Sequence, residues 1–249
     1  MRIVIKLLLL TVVMATAWTT GADALDDALN DPNRPEADQA RDARSRPDVT
    51  IPLLNLAAGD RVADIFGGSG YYASLLSRVV GPDGEVVLHN NTGYRNFASD
   101  GLKKRFGDTM PGGISDHVTE ADDLALGELD GAMMIMSYHD LYWVSEENGW
   151  PAIDAKRFVG QVYDALKPGS RFLIVDHAAE AGSGSSAAQV LHRIDPAYAK
   201  QDIESHGFVL VDESDALANP GDDYTINVFD EKVRGKTNRF IHVYEKPSQ

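Results

Sequence analysis

The stretch Asp64-Ile65-Phe66-Gly67-Gly68-Ser69-Gly70 decides the fold that this sequence predicts. A short apolar run precedes it and Tyr71-Tyr72-Ala73-Ser74-Leu75-Leu76 follows, which is the order of a strand, a glycine-rich turn and a helix. Glycines let a backbone approach a ligand closely, and the helix N-terminus presents unpaired N–H groups. A carboxylate at the strand end accepts hydrogen bonds from hydroxyl or ammonium groups. Any parallel α/β protein also needs such turns, so the rest of the chain has to distinguish a ligand site from a plain turn.

A βαβ unit surrounds this turn. The helix after Gly70 places its apolar residues three and four apart, and a second strand at residues 85–89 follows a strong turn at Gly81. From Arg61 to Asn90 the unit measures about 30 residues, the size of a nucleotide-binding half-fold.

The remaining chain continues to alternate strands with helices. Further strands are predicted near Val118 and at residues 129–136, 171–175, 208–211 and 239–245. This alternation predicts one α/β domain, in which helices cover both faces of a mostly parallel sheet. The chain contains no internal repeat that would indicate a solenoid or a duplicated domain.

Polar side chains stand at the ends of four predicted strands. They are Asp64 on the first, Asn90 on the second, His139 and Asp140 on the fourth, and Asp176 and His177 on the fifth. In open α/β sheets the ligand binds outside the carboxyl ends of the strands. The convergence therefore predicts a ligand site at this edge of the sheet.

These pieces resemble class I S-adenosylmethionine-dependent methyltransferases. The likeness rests on residues 64–70, on Asp122, on the strand end Ser137-Tyr138-His139-Asp140, and on Leu166-Lys167-Pro168-Gly169 before a strand. A narrower likeness is to an exported group of predicted methyltransferases. It rests on Gly67-Gly68-Ser69-Gly70-Tyr71-Tyr72, His139-Asp140-Leu141-Tyr142-Trp143, Leu191-His192-Arg193-Ile194-Asp195, Val228-Phe229-Asp230 and Arg234-Gly235-Lys236-Thr237.

The resemblance implies a Rossmann-like methyltransferase domain with a seven-stranded sheet whose last strand is antiparallel, and S-adenosylmethionine as the cofactor. Asp64, Gly68 and Gly70 would then hold the methionine part of the cofactor. Asp122 would face the adenine amino group, and Ser137 would lie where cofactor and substrate meet. The full predicted set of cofactor-binding residues is Asp64, Phe66, Gly67, Gly68, Gly70, Tyr71, Asn90, Asp122 and Ser137.

Two positions depart from the family pattern. Phe66 stands where the loop usually has its first glycine, so the turn is bulkier and one close backbone approach is at risk. Asn90 stands where an acidic residue usually holds the ribose hydroxyls, and a neutral amide forgoes a charge-assisted hydrogen bond. Both departures predict weaker cofactor binding.

The predicted catalytic residues are His139, Asp140, Tyr142 and His177. Methyl transfer needs an aligned acceptor and often a base that removes its proton, and an unperturbed histidine titrates near neutral pH. For each of these residues, a structural hydrogen bond at a strand end is an equally plain interpretation. His192 follows a small polar loop and either closes over the site, together with Arg193 and Asp195, or belongs to a surface helix cap.

No metal ligand is predicted. His139, Asp140, Asp176 and His177 are residue types that suit zinc or iron, but their spacing matches no known motif. A basic cluster formed by Arg234, Lys236 and Arg239 either binds a carboxylate or phosphate of the substrate or pairs with neighbouring aspartates.

The N-terminus has the pattern of a secretory signal. Arg2 and Lys6 flank the start of an apolar run at residues 7–17, and Ala22-Asp23-Ala24 offers the small residues of a cleavage site. We expect a signal peptide at residues 1–24, an N-terminal arm at 25–48, a methyltransferase-like domain at 49–249, and an exported, periplasmic protein. An uncleaved membrane anchor is the alternative.

Composition limits the partners. The net charge of −15 argues against nonspecific binding to nucleic acid or to an anionic membrane, and the absence of cysteine excludes thiolate metal sites and thiol nucleophiles. The expected partner is a small-molecule substrate, and the oligomeric state stays open. Three hypotheses remain: a methyltransferase, a non-catalytic periplasmic ligand-binding protein on the same scaffold, and a metal-assisted hydrolase.

Overall fold

One seven-stranded sheet forms the centre of the protein, whose computed structural model describes residues 21–248. The strands are β1 (Arg61–Ile65), β2 (Glu85–Asn90), β3 (Ile114–Val118), β4 (Leu129–Ile135), β5 (Leu166–His177), β6 (Val209–Ser214) and β7 (Arg239–Glu245). Their spatial order is β3-β2-β1-β4-β5-β7-β6. The first five strands pair in parallel, and β7 lies antiparallel between β5 and β6. The predicted fold, with its antiparallel last strand, is confirmed.

Helices connect the strands, and three of them are capped by nearby side chains. They are α1 (Gly21–Leu29), α2 (Glu36–Ser45), α3 (Pro47–Thr50), α4 (Tyr71–Val80), α5 (Thr92–Phe106), α6 (Ala155–Ala165), α7 (Ala188–Leu191) and α8 (Pro196–Glu204). The side chains of Asn91, Asp154 and Asp195 each accept a hydrogen bond from a backbone N–H in the first turn of α5, α6 and α8. These caps explain why the three helices begin where they do.

Two apolar cores lie on opposite faces of the sheet. Leu75, Leu76 and Val79 of α4 belong to one core, whereas Phe158 and Val162 of α6 belong to the other. Both sets follow the three-and-four spacing that predicts an amphipathic helix. The strand β4 is buried on both sides, which explains its continuous apolar sequence.

Three element boundaries differ from the sequence prediction. The strand β5 begins at Leu166, five residues early, because Leu166 pairs with Leu129 of β4 and Gly169 N donates to Lys246 O at 2.7 Å. The sequence predicts one helix at residues 49–56, but the structure has α3 followed by a 3₁₀ turn, Ile51–Leu54. A short helix is predicted at residues 25–30, whereas α1 includes Gly21–Leu29, so the predicted cleavage point after Ala24 falls inside it. Residues 1–20 of the predicted signal peptide lie outside the described residues.

The N-terminal arm packs against the domain. Leu25 and Ala28 of α1 belong to the core beneath α4, and Asp38 of α2 is buried where it accepts a hydrogen bond from Arg105 of α5 at 2.9 Å. The arm therefore packs on the domain through both apolar and buried polar contacts. Its boundary at residue 48 stays a prediction. Within residues 21–248 no helix has both the length and the apolar character needed to span a membrane.

Candidate active site

A cavity of about 870 Å³ lies at the carboxyl ends of β1, β4 and β5. This is the edge where open α/β sheets bind ligands, and the volume falls within the roughly 300–1,000 Å³ that is typical of ligand sites. The predicted site residues that line it are Asp64, Phe66, Gly67, Gly68, His139, Asp140 and His177. The structure thus brings together the glycine-rich turn and both predicted histidines.

The glycine loop, residues 66–70, forms one part of the cavity wall. Beside it, the buried Asp64 carboxyl accepts a hydrogen bond from Ala73 N at 3.1 Å, in the first turn of α4. A Cβ at Gly67 would lie 2.5 Å from the Asp64 carboxyl, so this position requires glycine. Burial raises the pKa of Asp64 to about 7, although the Ala73 N–H opposes this shift.

Asn90 holds the glycine loop from the end of β2. Its Oδ1 accepts from Gly68 N at 2.9 Å, and its Nδ2 donates to Gly68 O at 3.1 Å. Gly68 has a φ of +58°, and a Cβ there would meet only Tyr94, 3.6 Å away. The fully buried amide of Asn90 thus uses both polar atoms on the loop and is not part of the cavity lining, and its ribose contact stays a prediction.

Phe66 does not fill the loop as its bulk predicted. Its backbone takes the left-handed conformation, with a φ of +51°, that a glycine would adopt without strain. Its ring is 2% exposed and packs against Trp150 and Phe158, with centroids 5.1 and 5.3 Å away. The side chain thus contributes to a cavity wall and to the core on the α6 face of the sheet.

A second part of the cavity is formed by His139, Asp140 and His192, which we call the histidine cluster. Asp176, at the end of β5, fixes His139 from behind: one carboxyl oxygen lies 2.8 Å from Nδ1, and the other accepts from His139 N at 2.7 Å. His139 Nε2 lies 3.2 Å from Asp140 Oδ1, and His192 Nδ1 lies 3.6 Å from the same oxygen. Neither contact has the geometry of a hydrogen bond, so both buried nitrogens lie close to the Asp140 carboxylate but lack a hydrogen-bond partner among the described residues.

The cluster carries opposite charges in close contact. Burial alone would lower the pKa of His139, but the carboxylates of Asp140 and Asp176 outweigh it and raise that pKa to about 10. Burial would raise the pKa of Asp140, but the His139 cation outweighs it and lowers that pKa to about 2. Without a ligand, the cluster is therefore an imidazolium held between two carboxylates.

His177 lines the same cavity and has the opposite character. Its Nδ1 lies 2.7 Å from the Thr237 hydroxyl, and its backbone N–H donates to Asp176. Burial, reinforced by the neighbouring His139 cation, lowers the pKa of His177 well below the usual value. The cavity thus places a protonated His139 beside a neutral His177 at neutral pH.

Two predicted site residues point away from the cavity. The Tyr142 hydroxyl donates to Asp202 of α8 at 2.6 Å, and Tyr142 is outside the cavity lining. The Tyr71 hydroxyl donates to Asp42 of α2 at 2.6 Å. Tyr142 therefore joins the loop after β4 to α8, and Tyr71 fastens the N-terminal arm. Neither lines the cavity, and the roles predicted for them in catalysis and cofactor binding stay predictions.

Three further predicted residues are also outside the lining of the main cavity. Ser137 is fully buried. Gly70 sits at the start of α4, with a φ of +76°, and a Cβ there would lie 2.6 Å from the Phe106 ring. Asp122 is exposed and lines a separate cavity of about 360 Å³. Tyr94 and Trp150 line the main cavity, and their ring centroids lie 5.6 Å apart. Asn91 and Pro151, which are close to them in the chain, line the smaller cavity.

The motif around His192 divides between site and scaffold. Arg193 is fully buried and forms a salt bridge with Asp222 at 2.7 Å, and Asp195 caps α8. Only His192 reaches the cavity. Of the predicted basic cluster, Arg234 and Lys236 are exposed, whereas Arg239 is buried and its Nε lacks a hydrogen-bond partner among the described residues.

Arg41 of the arm lines the cavity and was missed by the sequence prediction. Its guanidinium lies 4.1 Å from the centroid of the Tyr71 ring, and its Nε donates to Ser45 at 3.2 Å. Within residues 21–248, no salt bridge joins Arg41, Arg44 or Arg239 to a carboxylate. The only indication of Arg41 in the sequence was its position one helical turn before Arg44 on the same helix.

Backbone strain is concentrated around the cavity. Seven non-glycine residues have a positive φ within residues 21–248, and three of them line the cavity: Phe66, Met136 and His192. Each such residue costs about 1–2 kcal/mol, so the surrounding structure has to impose it. Strain of this kind is often found at functional sites.

Sequence comparisons find methyltransferases among the proteins that this chain resembles. The family model "Protein-L-isoaspartate(D-aspartate) O-methyltransferase (PCMT)" matches residues 37–94, from α2 to the start of α5. The "Ubiquinone/menaquinone biosynthesis C-methyltransferase UbiE" of Ectopseudomonas oleovorans is 56% identical over 39 residues, 16% of this chain and 23% of that protein. The protein of the same name from Pseudomonas putida is 56% identical over 39 residues, 15% of its length. The chain thus spans less than a quarter of these relatives.

Solved structures match almost the whole chain. A SAM-dependent methyltransferase from Aquifex aeolicus superposes with a TM-score of 0.58 at 16% identity, covering 90% of this chain and 98% of that one. The chain has the class I S-adenosylmethionine-dependent methyltransferase fold. An arsenic(III) S-adenosylmethionine methyltransferase from Chlamydomonas reinhardtii (TM-score 0.53, 15% identity, 90% and 73% coverage) shares the fold. So does the [4+2]-cyclase SpnF (0.58, 16%, 83% and 82%). The fold therefore places the site without fixing its chemistry.

Proposed function

We propose that this protein is an S-adenosylmethionine-dependent methyltransferase that acts on a small-molecule acceptor. The observation that carries the proposal is that a single cavity joins the glycine loop to the histidine cluster. When bound, S-adenosylmethionine supplies a methyl group on a positively charged sulfur. A transferase needs cofactor and acceptor in one cavity, because positioning supplies much of the rate enhancement.

The glycine-loop part of the cavity fits the amino-acid end of the cofactor. Gly68 lines the cavity, and a Cβ there would meet only the Tyr94 ring, 3.6 Å away, so the glycine leaves its backbone accessible to a ligand. We assign Asp64 to the ligand's ammonium group and Arg41 to its carboxylate, since both line the cavity. Burial lowers the pKa of Arg239, and the charges of Arg44 and Arg41 act in the same direction, so three cations lie close together in an acidic chain.

The histidine part of the cavity fits the acceptor. With Nδ1–H of His177 donating to Thr237, its Nε2 is left to take the acceptor's proton. Two rings that line the cavity, Phe97 and Phe229, are 85% and 60% exposed. Exposed aromatic rings at a cavity indicate an apolar ligand surface, so we propose an acceptor with an apolar body and one ionisable group near the histidines.

The experiment that tests this function is calorimetric titration of the full chain with S-adenosylhomocysteine. We expect a dissociation constant in the micromolar range. A cofactor with a tritiated methyl group, added to an extract of the compartment that holds the protein, should then label a small molecule. No heat at millimolar ligand would remove the proposal, whereas binding without any labelled product would support only a ligand-binding protein.

We further propose that the protein is exported to the periplasm. The support is the sequence pattern alone: Arg2 and Lys6, the apolar residues 7–17, and the small residues around Ala24. Mass spectrometry of protein from the periplasmic fraction should give an N-terminus at Leu25. An intact N-terminus in the cytoplasmic fraction would contradict export.

A further inference from the structure

The histidine cluster has the composition and spacing of a metal site. His139, Asp140 and His192 each offer one ligand atom, and the three atoms lie within 4.8 Å of one another. The separations, 3.2 Å from His139 Nε2 and 3.6 Å from His192 Nδ1 to Asp140 Oδ1, are close to those between ligands that share one ion. Two imidazoles and a carboxylate are ligands that zinc and iron(II) accept.

Both histidine nitrogens lack a hydrogen-bond partner in the part of the chain that the structure describes. His139 is 2% exposed, so its Nε2 has no access to solvent that would satisfy it. Buried polar atoms in native proteins almost always have a partner, and an exception needs an explanation. An ion between the three side chains would supply the missing partner for both nitrogens at once.

Asp176 provides the support that metal-binding histidines usually have. It holds His139 Nδ1 at 2.8 Å and the His139 backbone N–H at 2.7 Å, which directs Nε2 towards Asp140. Ligating histidines characteristically have a carboxylate on the other ring nitrogen. Asp176 serves this purpose, and His177 is not among the three side chains whose ligand atoms lie within 4.8 Å of one another. The conceivable set named from the sequence is therefore replaced by one that includes His192.

His192 is held in place for this contact. Its φ is +53°, and its ring packs against Trp143 and Phe229, with centroids 5.3 and 4.8 Å away. A strained backbone with a ring fixed on two sides is a costly way to place a side chain that has no hydrogen bond. The cost is understandable if His192 completes a binding site.

We propose that His139, Asp140 and His192 bind one divalent transition-metal ion, with zinc as the first candidate. Three protein ligands leave coordination positions open towards the cavity, as in catalytic rather than structural zinc sites. An oxygen or nitrogen of the substrate occupies one of them. This last step rests on the proposed function, because it makes the acceptor a metal-binding molecule, whereas the metal site itself does not depend on it.

The test is equilibrium dialysis of the tag-free full chain, stripped with a chelator, against zinc alone, with bound metal measured by mass spectrometry. We expect one zinc per chain, lost in His192→Gln and in Asp140→Asn, and an affinity weakened about 10- to 100-fold in Asp176→Asn. His206→Gln is the matched control, because His206 Nε2 is also buried without a partner among the described residues but lies outside the cluster. It should bind zinc like the wild type.

Absence of bound zinc in the wild type, or equal binding by His192→Gln, would overturn the proposal. Circular dichroism checks that each variant is folded. If His192→Gln does not fold, thermal unfolding of the wild type decides: added zinc should raise its Tm, and an unchanged Tm would also overturn the proposal. No S-adenosyl compound is present, so failure here leaves the cofactor titration unaffected.

Discussion

The glycine loop and the histidine cluster line the same cavity, but they differ in how their polar groups are used. In the loop, Asp64 bonds to Ala73, and Asn90 bonds to both backbone groups of Gly68. In the cluster, two buried nitrogens, on His139 and His192, have no hydrogen-bond partner among residues 21–248. A loop whose polar groups are hydrogen-bonded keeps a fixed shape, whereas buried polar groups without a partner are available to bind a ligand.

This difference assigns ligand recognition to the glycine loop and the reaction to the histidine cluster. The loop is pre-organised for the part of a ligand that does not change, and pre-organisation reduces the cost of binding. The cluster places charged groups, and nitrogens without a hydrogen-bond partner, where the reacting part of the ligand would lie. Substitutions in the loop should therefore alter stability and cofactor affinity, whereas substitutions in the cluster should alter metal binding or turnover.

The largest effect on the loop should come from Phe66→Ala. The ring packs against four aromatic side chains, so we expect the free energy of unfolding to fall by about 3–5 kcal/mol, measured by urea unfolding. Phe66→Gly should be more stable than Phe66→Ala by about 1 kcal/mol, because only glycine adopts the positive φ without strain. Equal stability of the two variants would mean that the positive φ of Phe66 carries no backbone strain.

Gly67→Ala should come next. Its Cβ would lie 2.5 Å from the Asp64 carboxyl and 2.6 Å from Leu88, so we expect about 1–3 kcal/mol of destabilisation and a weaker S-adenosylhomocysteine titration. Gly112→Ala is the control, since a Cβ at Gly112 meets nothing within 4 Å. Unchanged stability and affinity in Gly67→Ala would mean that the loop is not the rigid element described above.

Arg41→Gln tests the contribution of the arm to recognition. Loss of a charge-assisted hydrogen bond to a carboxylate costs about 1.5–3 kcal/mol, so S-adenosylhomocysteine affinity should fall at least tenfold. Arg46→Gln is the matched control, because Arg46 pairs with Asp48 on the exposed surface and lies outside the cavity lining. Equal affinities in the two variants would remove Arg41 from the site.

The smallest effect is the pH dependence carried by Asp64, whose pKa is raised to about 7. The ammonium of S-adenosylhomocysteine favours the ionised carboxylate, so affinity should fall below pH 7, by at most about tenfold per pH unit. Asp64→Asn should remove this slope. The pKa of Asp64 is lower in the unfolded chain, so as pH rises the unfolded chain releases this proton before the folded chain does. The free energy of unfolding should therefore fall as pH rises from about 4 to 7. A slope that persists in Asp64→Asn would contradict the assignment.

The sequence predicted the sheet well because local patterns specify it. The run from Asp64 to Gly70 has only one reading as strand, turn and helix, and the alternation of Phe240 to Tyr244 marks the last strand. The site was predicted less completely, since side-chain direction depends on tertiary contacts. Tyr142 follows two other site residues in the chain but turns to Asp202, 60 positions away.

Arg41 and His192 show the same limit from the other side. Arg41 reaches the cavity because Tyr71 and Ser45 fix its guanidinium, and no local pattern in α2 specifies that contact. His192 joins His139 only because the loop after β5 returns to the cavity. Phe66, Asn90 and the periplasmic compartment favoured the hypothesis of a purely ligand-binding protein, and of these the Phe66 ring packs in a core cluster while also lining the cavity.

The most direct test of the account is a crystal structure of the full chain with S-adenosylhomocysteine. We predict the ligand in the main cavity, with its amino-acid end at Gly68 and Arg41 and its sulfur facing the histidine cluster. A ligand found in the smaller cavity beside Asp122, or one whose sulfur faces away from His139, would contradict the claim that one cavity unites cofactor recognition with the reacting groups.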